Sequence, residues 1–441
     1  MRGLLKLRAL LSSSILSAAV LAACTGAACS TAAGTTDDAA LASKATLDTN
    51  DVSFLVPLPN TVDEPALVQL KDAPSLLAFE RFTGFLGASG WTPLIDPIAP
   101  PMQRAIYDSL RVVAVRLDPC FPGFNPGESA CRPQLRLVMQ SVTAQPNSED
   151  VHQIKAGDAT LHFFYELTAS ELRDVVIALR TWKAQAPAMT AGKPLGVHPR
   201  LQQEGMQGTL ADELRSLILA KCREANLSRI AFMMLQFGPL SSFPNQWTFG
   251  AADVVNGAFV PAKLAHLKEE ASSQLFIMRR KKEAGDDTGP PQVDPNSLAG
   301  IFLPESSAPD NASFFLQSDN YLAQPRTADV TTAMKALLRV ENPHLDGPGS
   351  VDCVSCHVAT PLRLFAERNG ISTQGAEYMA DRYQPVEGAN ADLRTMQAST
   401  VPDREIYTTV NFGYFDLQPS ISQRTVNESA EVANAINAMK L

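Results

Sequence analysis

The stretch ATLHFFYELTASELRDVVIALRTWKAQA, residues 159–186, changes its hydrophobic period once, and that change sets the fold class. Ala159–Leu167 is short, apolar and rich in aromatic residues, which reads as a strand. Ser170 is then placed as a helix cap. From Glu171 to Ala186 the residues Leu172, Val175, Val176 and Leu179 recur on one helical face. A strand running straight into an amphipathic helix argues for a chain that mixes both elements around one core.

Working outward, Leu110–Asp118 and Gln134–Val142 are rich in Val and Leu and flank the loop DPCFPGFNPGESAC, residues 118–131. Downstream come a helical run over Leu210–Ala225, a strand-like run over Arg229–Phe237, and shorter pieces at Gln246–Phe249 and Val254–Val260. The expectation for residues 51–300 is an α+β domain with mainly antiparallel strands. Lys281–Ser297 reads as a linker containing GPP and DPN, and from Thr327 the pattern becomes helical. A domain boundary near residue 300 follows, with residues 301–441 as a second, all-α domain. The larger domain carries no motif to which chemistry can be assigned.

Composition sets limits on this reading. In 441 residues the chain has 45% hydrophobic and 19% charged residues, which is globular and excludes a polytopic membrane or wholly disordered protein. Lys plus Arg is 37 against 46 for Asp plus Glu, a net −9, so nothing draws it to nucleic acid.

The amino terminus reads as an export signal. Arg2, Lys6 and Arg8 precede an apolar stretch from Ala9 to Ala23, and Leu21-Ala22-Ala23-Cys24 fits a bacterial lipobox. Residues 1–23 are thus expected to be removed, with Cys24 lipidated and residues 24–50 a flexible Ala/Ser/Thr tether. Membrane attachment would come through that lipid, in the envelope of a Gram-negative bacterium, with Thr25 leaning towards the outer membrane. Export permits disulfides, and Cys120 with Cys131 at the mouth of a hairpin is the expected pair. Cys222, inside a helical run, reads as a buried apolar residue.

The motif that carries chemistry is Cys353-Val354-Ser355-Cys356-His357, the C-x-x-C-H signature of covalent haem attachment. Thiols at i and i+3 share one face of a helical turn and can add to both haem vinyl groups, while the next residue offers a ring nitrogen to iron. A zinc site would need two further ligands, and no Cys follows Cys356 and no His follows His357. A thioredoxin-like dithiol would need a βαβ setting. A plain disulfide would leave His357 without a reason.

On these residues the stretch from Thr327 to the carboxyl end resembles the cytochrome c family, and more loosely the haem-bearing lipoproteins of Gram-negative bacteria. Val330, Met334, Leu337 and Leu338 mark a helix before the motif. Thr425 and Glu428 form a T-x-x-E box before the stripe Val432, Ile436 and Met439. The resemblance implies that these first and last helices cross beside one haem c, and that the function is electron transfer to a redox partner not identifiable from sequence. Rival functions are a haem enzyme, either a peroxidase or a dehydrogenase relay, and a haem-based ligand sensor. For the sixth iron ligand Met396 is favoured, with Met379 second and an open or histidine-ligated iron as alternatives. Phe412, Tyr414 and Phe415 are candidates for a haem wall or for ordinary core. His152, His162, His198 and His266 are scattered without ligand spacing, and each reads as a surface or internally satisfied histidine.

Overall fold

The structure is a computed structural model and describes residues 45–89, 100–121, 132–144, 154–236, 246–278, 300–307, 328–384 and 409–440. Its centre is a nine-stranded sheet. The strands are β1 (Ser53–Leu55), β2 (Leu110–Phe121), β3 (Arg132–Ala144), β4 (Ile154–Glu166), β5 (Leu227–Gln236), β6 (Gln246–Val255), β7 (Ala258–Pro261), β8 (Ser273–Met278) and β9 (Gly300–Leu303). They run in the order β1-β2-β3-β4-β5-β6-β8-β9, with β7 as a further partner of β6, and every pairing is antiparallel. The pieces read separately at 246–249 and 254–260 are one hairpin. Asn256 and Gly257, with φ of 50° and 78°, make the two-residue turn between β6 and β7.

Because side chains alternate along a strand, β4 gives Leu161, Phe163 and Tyr165 to one face and Thr160, His162 and Phe164 to the other. The first set belongs to the main apolar core, together with Leu135, Leu137 and Met139 of β3. Over that face lie helices α1 (Thr49–Val52), α2 (Phe79–Ala88), α3 (Pro100–Ser109), α4 (Ala169–Gln185), α5 (Pro199–Glu204) and α6 (Thr209–Lys221). Leu172, Val175, Val176 and Leu179 of α4 are buried there. Burying each such side chain is worth about 1.5–3 kcal/mol. The cap of α4 is Thr168 rather than Ser170: Glu171 N donates to Thr168 Oγ1 at 3.2 Å while Thr168 N donates to Glu171 Oε2 at 2.9 Å.

The second face carries the carboxyl-terminal quarter of the chain. Helices α7 (Ala328–Val340) and α8 (Cys353–Arg368) pack through Val330, Met334, Leu337, Val354, Val358 and Leu362 against Trp247, Phe249, Phe276 and Phe302. Strands β10 (Phe412–Phe415) and β11 (Gln418–Ile421) form a separate hairpin that packs on Leu55, Val113, Ala114 and Val138. Gln140 fixes the hairpin by accepting from Tyr414 N at 2.7 Å and donating to Tyr414 O at 2.8 Å. A Cβ on Gly413 would stand 2.5 Å from Gln140 Oε1, so this approach needs glycine.

The expected all-α carboxyl-terminal domain is therefore corrected. A buried antiparallel hairpin forms within it, and NFGYF, read only as aromatics, supplies its first strand. The last helix, α9 (Gln423–Ala438), gives Ala430, Val432, Ala433 and Ile436 to the main core alongside Leu47 and Val52. Leu47 N donates to Asn437 Oδ1 at 2.9 Å and Asn437 Nδ2 donates to Leu47 O at 3.0 Å, clasping the two ends of the described chain. The cap of α9 is Ser422, whose Oγ accepts from Thr425 N at 3.1 Å, so the T-x-x-E at 425–428 is already inside the helix. Glu428 instead pairs with Arg116 and Arg424, each at 2.5 Å.

Candidate functional site

The Cys353–His357 motif opens α8. Asp352 caps it, its Oδ2 accepting from Ser355 N at 3.0 Å. Gln274, buried on β8, locks this turn to the sheet: its Nε2 donates to Asp352 Oδ2 at 2.9 Å and its Oε1 accepts from Val354 N at 3.0 Å. Val354, Ser355 and Val358 are buried by this docking, whereas Cys353, Cys356 and His357 are only partly covered. The three chemically active side chains thus share one face of α8, where Cys353 and Cys356 still pack against the edge of the α7–α8 cluster.

Both cysteines are free thiols. Burial pushes the Cys353 thiol up to about 12 and the Cys356 thiol up to about 11, so both stay protonated. A redox-active dithiol shows the opposite, a thiol depressed towards neutrality.

His357 is held at two points by one residue. Pro361 lies inside α8 and has no N–H for the carbonyl four residues back, that of His357. That carbonyl accepts instead from Val410 N at 2.9 Å, and Val410 O lies 2.8 Å from His357 Nδ1. A carbonyl only accepts, so Nδ1 carries the proton and Nε2 keeps its lone pair. Burial lowers the imidazole pKa to about 4, which keeps the ring neutral at physiological pH. Phe249 stands beside it, ring centroids 5.0 Å apart and tilted by 44°.

The sheet below supplies a second imidazole. Asn411, next to Val410, donates through Nδ2 to Thr160 Oγ1 on β4, and His162 lies two residues further on the same face. Across the sheet the row through His162 is Ala114, Val138, His162, Ala231 and Ala251, so its neighbours are small. On one side the adjacent row is Arg116, Arg136, Phe164, Arg229 and Asp253; on the other it is apolar at Met233 and Phe249. Ala231 and His162 are partly exposed although they lie in the middle of the sheet, whereas Ala114, Val138 and Ala251 of the same row are buried.

The charged row is partly neutralised. Asp118 pairs with Arg116 at 3.1 Å and with Arg136 at 2.8 Å. Burial alone would raise the Glu428 carboxyl, but Arg116, Arg424 and Arg136 together hold it well below the ordinary carboxylate range. Two cavities flank this row. One of about 230 Å³ is bounded by Arg116, Arg136, Arg424 and Glu428. The other, about 1380 Å³, is bounded by Arg229, Asp253 and Lys263, and Pro348 lines both.

Other expected residues fall elsewhere. Met396, Cys24 and Cys131 lie outside the described residues. Met379 is 47% exposed, just after a short 3-10 turn. Phe412 and Tyr414 pack in the hairpin cluster. Cys120 is disulfide-bonded, and the β2–β3 pairing closes at Phe121–Arg132, one residue beyond it. Cys222 is buried and its thiol is raised by burial. Sequence reading did not single out Gln274, Val410 or Pro361, and it set His162 aside. Of these, only the proline inside a helical run beginning at the motif gave a usable signal.

No known family, no curated protein and no solved structure matches this chain. Among the described residues no group of three His, Cys, Asp or Glu side chains is disposed to hold a bare metal ion, and no helix is long and apolar enough to cross a membrane.

Proposed function

We propose that this protein carries one covalent haem c on Cys353, Cys356 and His357 and transfers single electrons. The observation that supports it best is the Val410 clamp. It fixes the His357 tautomer so that Nε2, the nitrogen an iron would take, is the unprotonated one. Cys353 and Cys356 would hold the group by adding their S–H across its two vinyl groups, which needs no leaving group, and both thiols stand free and protonated on the same helical face. The Gln274–Asp352 lock holds that turn rigid on the sheet. The arginines of the adjacent row suit the acidic edge of the group, and Met233 and Phe249 suit its apolar edge. When bound, haem supplies a ferrous/ferric couple whose potential the protein tunes through ligands and burial. Export and anchoring through Cys24 form part of the same reading and rest on residues 1–24 alone.

The test is expression in a Gram-negative host that overproduces the haem-attachment machinery, followed by a pyridine haemochrome assay. The expected result is one covalent haem per chain, lost in Cys353→Ala/Cys356→Ala. A wild-type count near zero would overturn the reading.

A further inference from the structure

We propose that His162 of β4 is the second axial ligand of the haem iron, so that the iron is held by two imidazoles, His357 from α8 and His162 from the sheet. This rests on the haem reading above and extends it to a residue outside the C-x-x-C-H segment.

Three observations carry it. First, His162 Nε2 is buried and has no hydrogen-bond partner among the described residues. A buried polar nitrogen left unpaired is destabilising, and a ligand bond would remove that penalty. Second, His162 is near His357: the Val410–Asn411–Thr160 chain of hydrogen bonds ties the loop that clamps His357 to the same strand. His162 lies about 7 Å along from Thr160 on the same face, at the strand rise of ~3.4 Å per residue. Third, the sheet is not fully covered at this point. The residues paired with His162 are Val138 and Ala231, Ala251 follows, and neither apolar cluster of this face includes His162 or Ala231. A group could approach this row at His162 and Ala231, its two partly exposed members, while Ala114 and Val138 stay covered by the β10–β11 hairpin.

The electrostatics agree with this geometry. Burial, Arg136, His357 and Arg116 all keep His162 well below the ordinary histidine range, so it is neutral and able to ligate. A haem iron asks the protein for only two axial donors, and the two imidazoles provide them.

Arrangement between a helix and a sheet has a functional meaning. With no position open, the iron would exchange electrons rather than bind small ligands, and a second imidazole in place of a thioether lowers the potential.

The test uses the haem-loaded full chain. Near-infrared magnetic circular dichroism and electron paramagnetic resonance of the ferric wild type should give the bis-imidazole low-spin signature. His162→Ala should keep one haem per chain by pyridine haemochrome, turn high-spin, and gain rapid CO binding; added imidazole should restore the low-spin spectrum. His162→Met should stay low-spin with the far-red sulfur-to-iron band and a raised potential. The inference is overturned if the wild type already shows that sulfur band and Met396→Ala removes it. A wild type that is high-spin, or a His162→Ala form that stays low-spin, overturns it equally. Should His162→Ala fail to fold, the wild-type spectra and the Met variant still decide. A chain that takes up no haem at all would instead overturn the proposed function.

Discussion

The two faces of β4 are made from alternate residues of one strand and serve different ends. Leu161, Phe163 and Tyr165 disappear beneath the helices of the main core, where even the Tyr165 hydroxyl finds Leu76 O at 3.2 Å. On the other face Thr160 accepts from Asn411 Nδ2 and Phe164 lies under the Arg136 guanidinium, but His162 between them is partly exposed and its Nε2 has no hydrogen-bond partner among the described residues. One face is closed by packing and the other is left incomplete. The contrast teaches where to look for chemistry in this fold: at the positions that the core does not use.

That contrast can be broken most forcefully from the packed side. Phe163→Ala should cost about 3–5 kcal/mol in urea unfolding of the apoprotein, because it empties a fully buried site. Haem content of the protein that does fold should be unchanged. A parallel loss of haem would mean that the two faces are not separable.

A smaller effect should appear with acid. His357 has its imidazole lowered from 6.5 to about 4 by burial, so the unfolded chain binds its proton more readily than the folded one. Its contribution is therefore complete above pH 6.5 and is lost as pH falls to about 4, a change of about 3 kcal/mol. His198 falls to about 3 for the same reason and lies on the packed side. The difference between wild type and His357→Gln, measured as apoprotein stability at several pH values, isolates the open face. Equal acid slopes in the two proteins would count against a neutral buried His357.

The smallest of the three concerns the lock. Gln274→Ala removes two hydrogen bonds and leaves Val354 N–H buried, for about 2 kcal/mol. It should also reduce haem incorporation, because α8 begins at that contact. Unchanged incorporation would show that the turn is held by α8 itself.

How much of this could be read from sequence differs residue by residue. Cys353, Cys356 and His357 stand out in the sequence because C-x-x-C-H is a local spacing that needs no knowledge of the fold. His162 does not: a lone histidine in a strand has no spacing, and its meaning depends on a register that places it beneath a helix nearly 200 residues later. The two T-x-x-E sequences make the same point. At 168–171 the threonine is extended and caps α4, whereas at 425–428 Ser422 has already started α9. A capping box is legible only when the start of the helix is known. The all-α expectation failed for a related reason. NFGYF has no strand partner nearby except Gln418–Ile421, and it is held by Gln140, more than 270 residues earlier, and by packing on Leu55, Val113, Ala114 and Val138.

The clasp between Leu47 and Asn437 bears on the order in which the molecule is made. Synthesis produces Leu47 first and Asn437 last, 390 residues later, and no earlier part of the chain can substitute for that contact. β1 can pair with β2 early, but the backbone at Leu47 waits for the final helix, and a contact across so long a loop forms late. By then Cys353, Cys356 and His357 have all emerged, so the proposed attachment segment exists for some time in a chain that has not yet shut. An enzyme that must reach both thiols would find its opportunity in that interval rather than in the finished fold.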